Sequence, residues 1–123
     1  THKSALADRA RGVFQGKFLV AREAQKTDAS MRTAALILAD TAEADHKPEL
    51  EIYADDVACA HGATAGSLDA DALFYLRQRG LPFAEARAFL VDAFIGETFD
   101  SIGDEAIAAA LRRRAARWLG SST

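Results

Sequence analysis

The feature that most limits the fold is a change of apolar period near Gly66, from the strand period of two before it to a helical period after it. A chain with that break holds strands first and helices second, so its two halves bury their apolar surface in different ways. In "GVFQGKFLV", Phe14, Phe18 and Val20 share one parity while Gln15 and Lys17 share the other, which places the aromatic rings on one strand face. A second apolar run, "AALILAD", centres on Ile37. A third, "ELEIYADD", puts Leu50, Ile52 and Ala54 inward and Glu49, Glu51 and Tyr53 outward. The polar links "REAQKTDAS" and "TAEADHK" separate these runs. The apolar centres recur roughly every 16 to 19 residues with no helix between them, a spacing shared by successive coils of a β-solenoid and by a long-looped meander.

Three helices are expected after the break. "SLDADALFYLRQRG" predicts a helix with Asp69 as N-cap, Leu68 stapled over Leu73, and Gly80 as a left-handed stop. "LPFAEARAFLVDAFIGETFDSIG" predicts an amphipathic helix with Pro82 in its first turn, an apolar face of Phe83, Ala86, Leu90, Ala93 and Phe94, and an end near Gly103. "DEAIAAALRRRAARWLG" has acids at its start and Arg112, Arg113, Arg114 and Arg117 toward its end, the order that the helix dipole favours. The expected division is 1–66 for the strands and 67–123 for the helices.

Composition narrows the function. A chain of 123 residues can bury a core without staples, and a net charge of −3 leaves no broad basic face for nucleic acid. No run of 18 apolar residues or basic-apolar leader is present, so neither a membrane span nor a secretory signal is indicated. One cysteine rules out an internal disulfide and suits a reducing compartment, so a cytoplasmic location is expected. The chain starts at Thr1 and its single methionine is Met31, which suggests a piece of something longer.

The stretch "DDVACAHGATAG" concentrates the chemistry. On a strand, Val57, Cys59 and His61 face one way, so sulfur and imidazole leave the backbone together from α-carbons about 6.6 Å apart. Both could then hold one metal or cluster. Equally, Cys59 could be a small buried apolar residue and His61 a hydrogen-bonded turn residue before Gly62. A Cys-x-His pair supplies two ligands where a structural zinc needs four, so the rest would come from elsewhere. A nucleophilic Cys/His dyad is disfavoured because nothing marks an orienting third group or an oxyanion hole.

The remaining candidates read as structure. Asp55 and Asp56 would face opposite ways on a strand and suit a corner. His2 and His46 lie in polar stretches and are expected to be solvated. Arg112, Arg113 and Arg114 read as a solvated helix end. "GVFQGK" lacks the glycine spacing of a phosphate loop.

The string "PELEIYADDVACAHGATAGSLDADALFYLRQRGL", residues 48–81, strongly resembles the C-terminal signature of the SufB/SufD family of the SUF iron–sulfur cluster assembly machinery. The upstream "RGVFQGKFLVAREAQKTDA" resembles it too, and the likeness runs from about residue 6 to about residue 94. The double aspartate, and Gly62 where the SufB branch typically has glutamate, favour the SufD branch.

The resemblance implies the last coils of a right-handed parallel β-helix followed by a C-terminal helical domain of about three helices. It implies a non-enzymatic scaffold that pairs with a SufB-like subunit through the β-helix ends and docks a SufC-like ATPase on its helices. It places His61, with Cys59 beside it, where a transient iron–sulfur cluster is shared with the SufB-like subunit, and leaves a flavin in the intact complex open. Together with the amphipathic pattern, it puts the ATPase dock on Phe74, Tyr75, Arg79, Leu90 and Phe94. Alone, the piece is expected to self-associate through its open strand end. The alternative is a small metal-binding enzyme or a generic interaction module using Cys59 and His61. Residues 104–123 match no family pattern.

Overall fold

The structure, a computed structural model, describes residues 1–121. It divides into a strand unit, Thr1–Ala65, and a helical unit from Gly66 onward. The strand unit contains β1 (His2–Leu6), β2 (Arg11–Val20), β3 (Asp28–Ile37), β4 (Glu43–Ile52) and β5 (Ala58–Gly66). Odd and even strands go to different sheets. One sheet has the order β1-β3-β5 and the other pairs β2 with β4. The β1–β3 and β2–β4 pairings are parallel, with His2 opposite Thr33 and Arg11 opposite Glu43, so each strand meets a neighbour roughly 31 residues further on.

Strand parity explains the interior. Along β2 every even position from Gly12 to Phe18 is half-buried and Val20 is buried, while the odd positions face water. The parallel register stacks like on like, setting Phe18 beside Leu50 and Val20 beside Ile52. Leu6, Val20, Met31, Ala35, Leu36 and Ala54 form the buried core of this unit. Gly16 is small because its neighbours leave no room: a Cβ there would sit 2.8 Å from the Phe14 ring and 3.1 Å from the Met31 sulfur. Outside, the Arg11 guanidinium meets Asp45 at 2.5 Å, and Lys17 pairs with Glu51. These solvated pairs fix register more than they add stability.

Two expectations fail here for physical reasons. Ile52, expected inward, is 42% exposed, because among the described residues no strand covers the far side of β4. His2 and His46, expected in solvent, lie against an aromatic ring. His2 stacks on Phe14 with ring centroids 4.3 Å apart, and His46 meets His2 edge-on at 5.7 Å. Parity, rather than the polarity of neighbouring residues, decides where they point. Both occupy even positions on strands whose even positions face in.

The helical unit contains α1 (Ala70–Gln78), α2 (Phe83–Gly96) and α3 (Glu105–Ser121), with α2 packed against both others. The Asp69 carboxylate caps α1 by accepting from the Asp71 and Ala72 amides. Gly80 ends the helix at φ +94°, where its amide donates to the Arg77 carbonyl and that of Leu81 to the Leu76 carbonyl, the paired bonds of a Schellman stop. Pro82 stands just outside α2 as its N-cap rather than inside the first turn. The helix ends at Gly96, well before the expected Gly103, and turns 97–101 follow. Asp104 then caps α3 through the Ala106 and Ile107 amides at 2.9 and 3.1 Å. Ala86 and Val91 are completely buried on α2, whereas Ala93, expected on its apolar face, is exposed.

Candidate functional site

The site begins at a corner. Lys26, in the left-handed region at φ 65°, donates its backbone amide to the Asp56 carbonyl at 2.7 Å, and its ammonium pairs with the Asp56 carboxylate. The Asp56 amide in turn donates to the Gln25 side chain at 2.9 Å. Asp56 therefore ties one corner of the chain to the next, while Asp55 stays exposed. The chain leaves this corner into β5 with the Ala58 amide donating to the Thr27 carbonyl at 2.9 Å.

β5 lies at the edge of its sheet and carries both donor side chains. Cys59 is a free, half-buried thiol and His61 is exposed, and their spacing of two puts them on one face of the strand. Thiolate sulfur and imidazole nitrogen both suit iron. Among the described residues no cluster of three or more His, Cys, Asp or Glu side chains is close enough to hold a metal ion, so this chain offers at most a two-donor half of a site. Behind β5, the Thr33 hydroxyl donates to the carbonyl of Gly62, next to His61, at 3.5 Å.

The candidate docking residues separate into groups. Phe74 and Tyr75 on α1 are 65% and 55% exposed. Arg79 reaches back one turn, with its guanidinium 4.8 Å from the Tyr75 ring centre and 2.6 Å from the Tyr75 hydroxyl. Leu90 and Phe94 are half-buried on α2. Phe74 lines a shallow groove with Arg77, Leu81 and Phe83. The sequence reading missed a second, largely apolar groove of about 510 Å³ between α2 and α3, lined by Ala84, Ala88, Phe89, Ala116 and Leu119 together with Glu85 and Asp92. The available signal was Phe89, an aromatic off the expected apolar face of α2 and 59% exposed.

The sequence matches the family model for the SUF system FeS cluster assembly SufBD core domain over residues 1–94. It is 44% identical over 106 residues to the iron-sulfur cluster assembly protein SufD of Escherichia coli, an alignment that covers 86% of this chain and 25% of that protein. An iron-sulfur cluster assembly SufBD family protein of Synechocystis is 48% identical over 101 residues, covering 82% of this chain and 22% of the relative. The Bacillus subtilis iron-sulfur cluster assembly protein SufD is 30% identical over 102 residues, with 83% and 23% covered. The chain thus spans about a quarter of the length of the curated relatives it matches. A likeness that runs through the whole strand unit and into α2 places this chain in the SufBD family of SUF iron–sulfur cluster assembly proteins.

Proposed function

We propose that this chain is the C-terminal part of a SufD-type scaffold subunit, which acts in iron–sulfur cluster assembly by pairing with a SufB-like subunit and docking a SufC-like ATPase, without catalysing a reaction itself. One observation carries the reading: Cys59 and His61 share one face of an edge strand that has no third donor nearby among the described residues, in a chain of the SufBD family. A half-site on an open edge is useful when a second chain completes it. The cluster is then cargo, built between subunits and passed on, with the missing ligands coming from the partner.

Further support comes from the strand order. Alternation between two sheets at a constant step is the pattern a β-helix produces, and right-handed is the usual hand for parallel crossovers. The exposed aromatics of α1 suit the ATPase dock. Among the described residues no helix is long and apolar enough to cross a membrane, and a cytoplasmic setting fits the free thiol.

The test uses the full-length subunit co-purified with its partners. His61→Ala is expected to leave subunit pairing intact and abolish cluster absorbance and bound iron. Cys59→Ala is expected to be milder, because a small apolar residue can fill a half-buried place. A His61→Ala complex that accumulates as much cluster as the wild type would sink the assignment.

A further inference from the structure

We infer that Thr33 is a positioning residue for His61: from the neighbouring strand, its buried hydroxyl holds the Gly62 carbonyl and so sets the direction in which β5 presents the imidazole. The inference rests on the proposed role of His61 and adds a residue outside the motif.

Thr33 is the one polar side chain in the buried class among the described residues, at 2% exposure. A hydroxyl removed from water needs a partner, and this one spans two strands to the carbonyl of Gly62, 29 positions away in sequence. Threonine is β-branched and stiff at χ1, so the direction of its hydroxyl is set by β3 rather than by β5.

β5 needs such a hold. It is paired on one side only, and every residue from 60 to 66 is exposed, so little packing restrains it. Gly62 adds freedom. It has no side chain, a Cβ there would touch nothing within 4 Å, and glycine spans more backbone conformations than any other residue. His61 therefore stands beside a permissive link of an edge strand. Along the same sheet Thr33 lies opposite His2, so its other flank is fixed by β1 and the hydroxyl acts from a braced position.

The experiment compares Thr33→Val, Thr33→Ser and His61→Ala in the full-length subunit with its partners. Valine keeps the shape and removes the hydroxyl, whereas serine keeps the hydroxyl. Two readouts are taken: amide hydrogen exchange over 58–66 with 11–20 as internal control, and cluster absorbance per complex. At 3.5 Å the contact is long for an O–H···O bond, so its loss predicts only about twofold faster exchange over 58–66 in Thr33→Val, with 11–20 unchanged. Cluster per complex falls several-fold in Thr33→Val and returns toward wild type in Thr33→Ser. Equal acceleration in both segments makes Thr33 a general packing residue and overturns the inference, as does serine failing to restore cluster. If His61→Ala abolishes cluster while Thr33→Val does not change it, positioning by Thr33 is refuted and the proposed function stands. If His61→Ala itself accumulates cluster normally, the proposed site falls and the role of Thr33 falls with it.

Discussion

His2 shows how much a single position depends on the face it is given. Its imidazole is held below the ordinary value of 6.5, first by burial, then by repulsion from His46. Phe14 covers one ring face, and His46, whose buried Nε2 has no hydrogen-bond partner among the described residues, sits at its edge. A histidine that is less basic in the folded state binds fewer protons folded than unfolded. Its stabilising contribution is therefore fully present above the unfolded value near 6.5 and is lost as pH falls through that value toward the folded one. The strand unit should unfold at lower urea concentration at about pH 5 than at about pH 7.5, and His2→Phe should flatten that dependence. An equally steep profile in the variant would assign the acid sensitivity to other groups. Sequence reading put His2 and His46 in water because their neighbours are polar. Only the tertiary pairing, which brings β1 over β2, turns an even position on a polar stretch into an interior one.

The elements were legible wherever a local rule decided them. The parity of Phe14, Phe18 and Val20 gave the inward face of β2, and Asp69 and Gly80 gave the two ends of α1, because capping and a left-handed stop are settled within a turn of chain. α2 was less legible. Apolar residues run nearly all round it, so the 3.6 period did not single out Val91, and apolar residues continuing to Ile102 hid the stop at Gly96. At the candidate site the sequence gives the shared parity of Cys59 and His61, but not the depth of either. That depth depends on β5 being an edge strand, and the hydroxyl behind it comes from Thr33 on another strand. At this scale α1 makes its own prediction. No α1 residue is buried, and Phe74 is the most exposed of its aromatics, so Phe74→Ala should leave helix content and unfolding unchanged. If α1 is the ATPase dock, the same change should weaken SufC-like ATPase binding by about 2 kcal/mol in a titration, as loss of an interface anchor does. Unchanged affinity would move the dock away from α1, with the α2–α3 groove as the next surface to probe.

Across the whole molecule the strand unit resembles a short stack with unfinished ends. Among the described residues β5 is paired only with β3 and β4 only with β2, so both present backbone donors and acceptors along a free side. Free strand edges pair with other chains unless charge or bulges prevent it, and β5 from Ala58 to Gly66 carries no acidic or lysine side chain to do so. The isolated chain is therefore expected to self-associate at tens of micromolar. Light scattering that gives a strict monomer across that range would show that these edges are already satisfied. The step of roughly 31 residues between paired strands also sets a clock for synthesis. A ribosome adding about 5–20 residues per second needs about 2–6 s to supply the partner of a strand it has just made. Between the emergence of one strand and that of its partner, the earlier strand has one side bare. Growth of the two sheets thus proceeds in discrete waits, one per strand pair, and each wait is a window in which a nascent neighbour on the same message can pair where the chain's own next strand belongs.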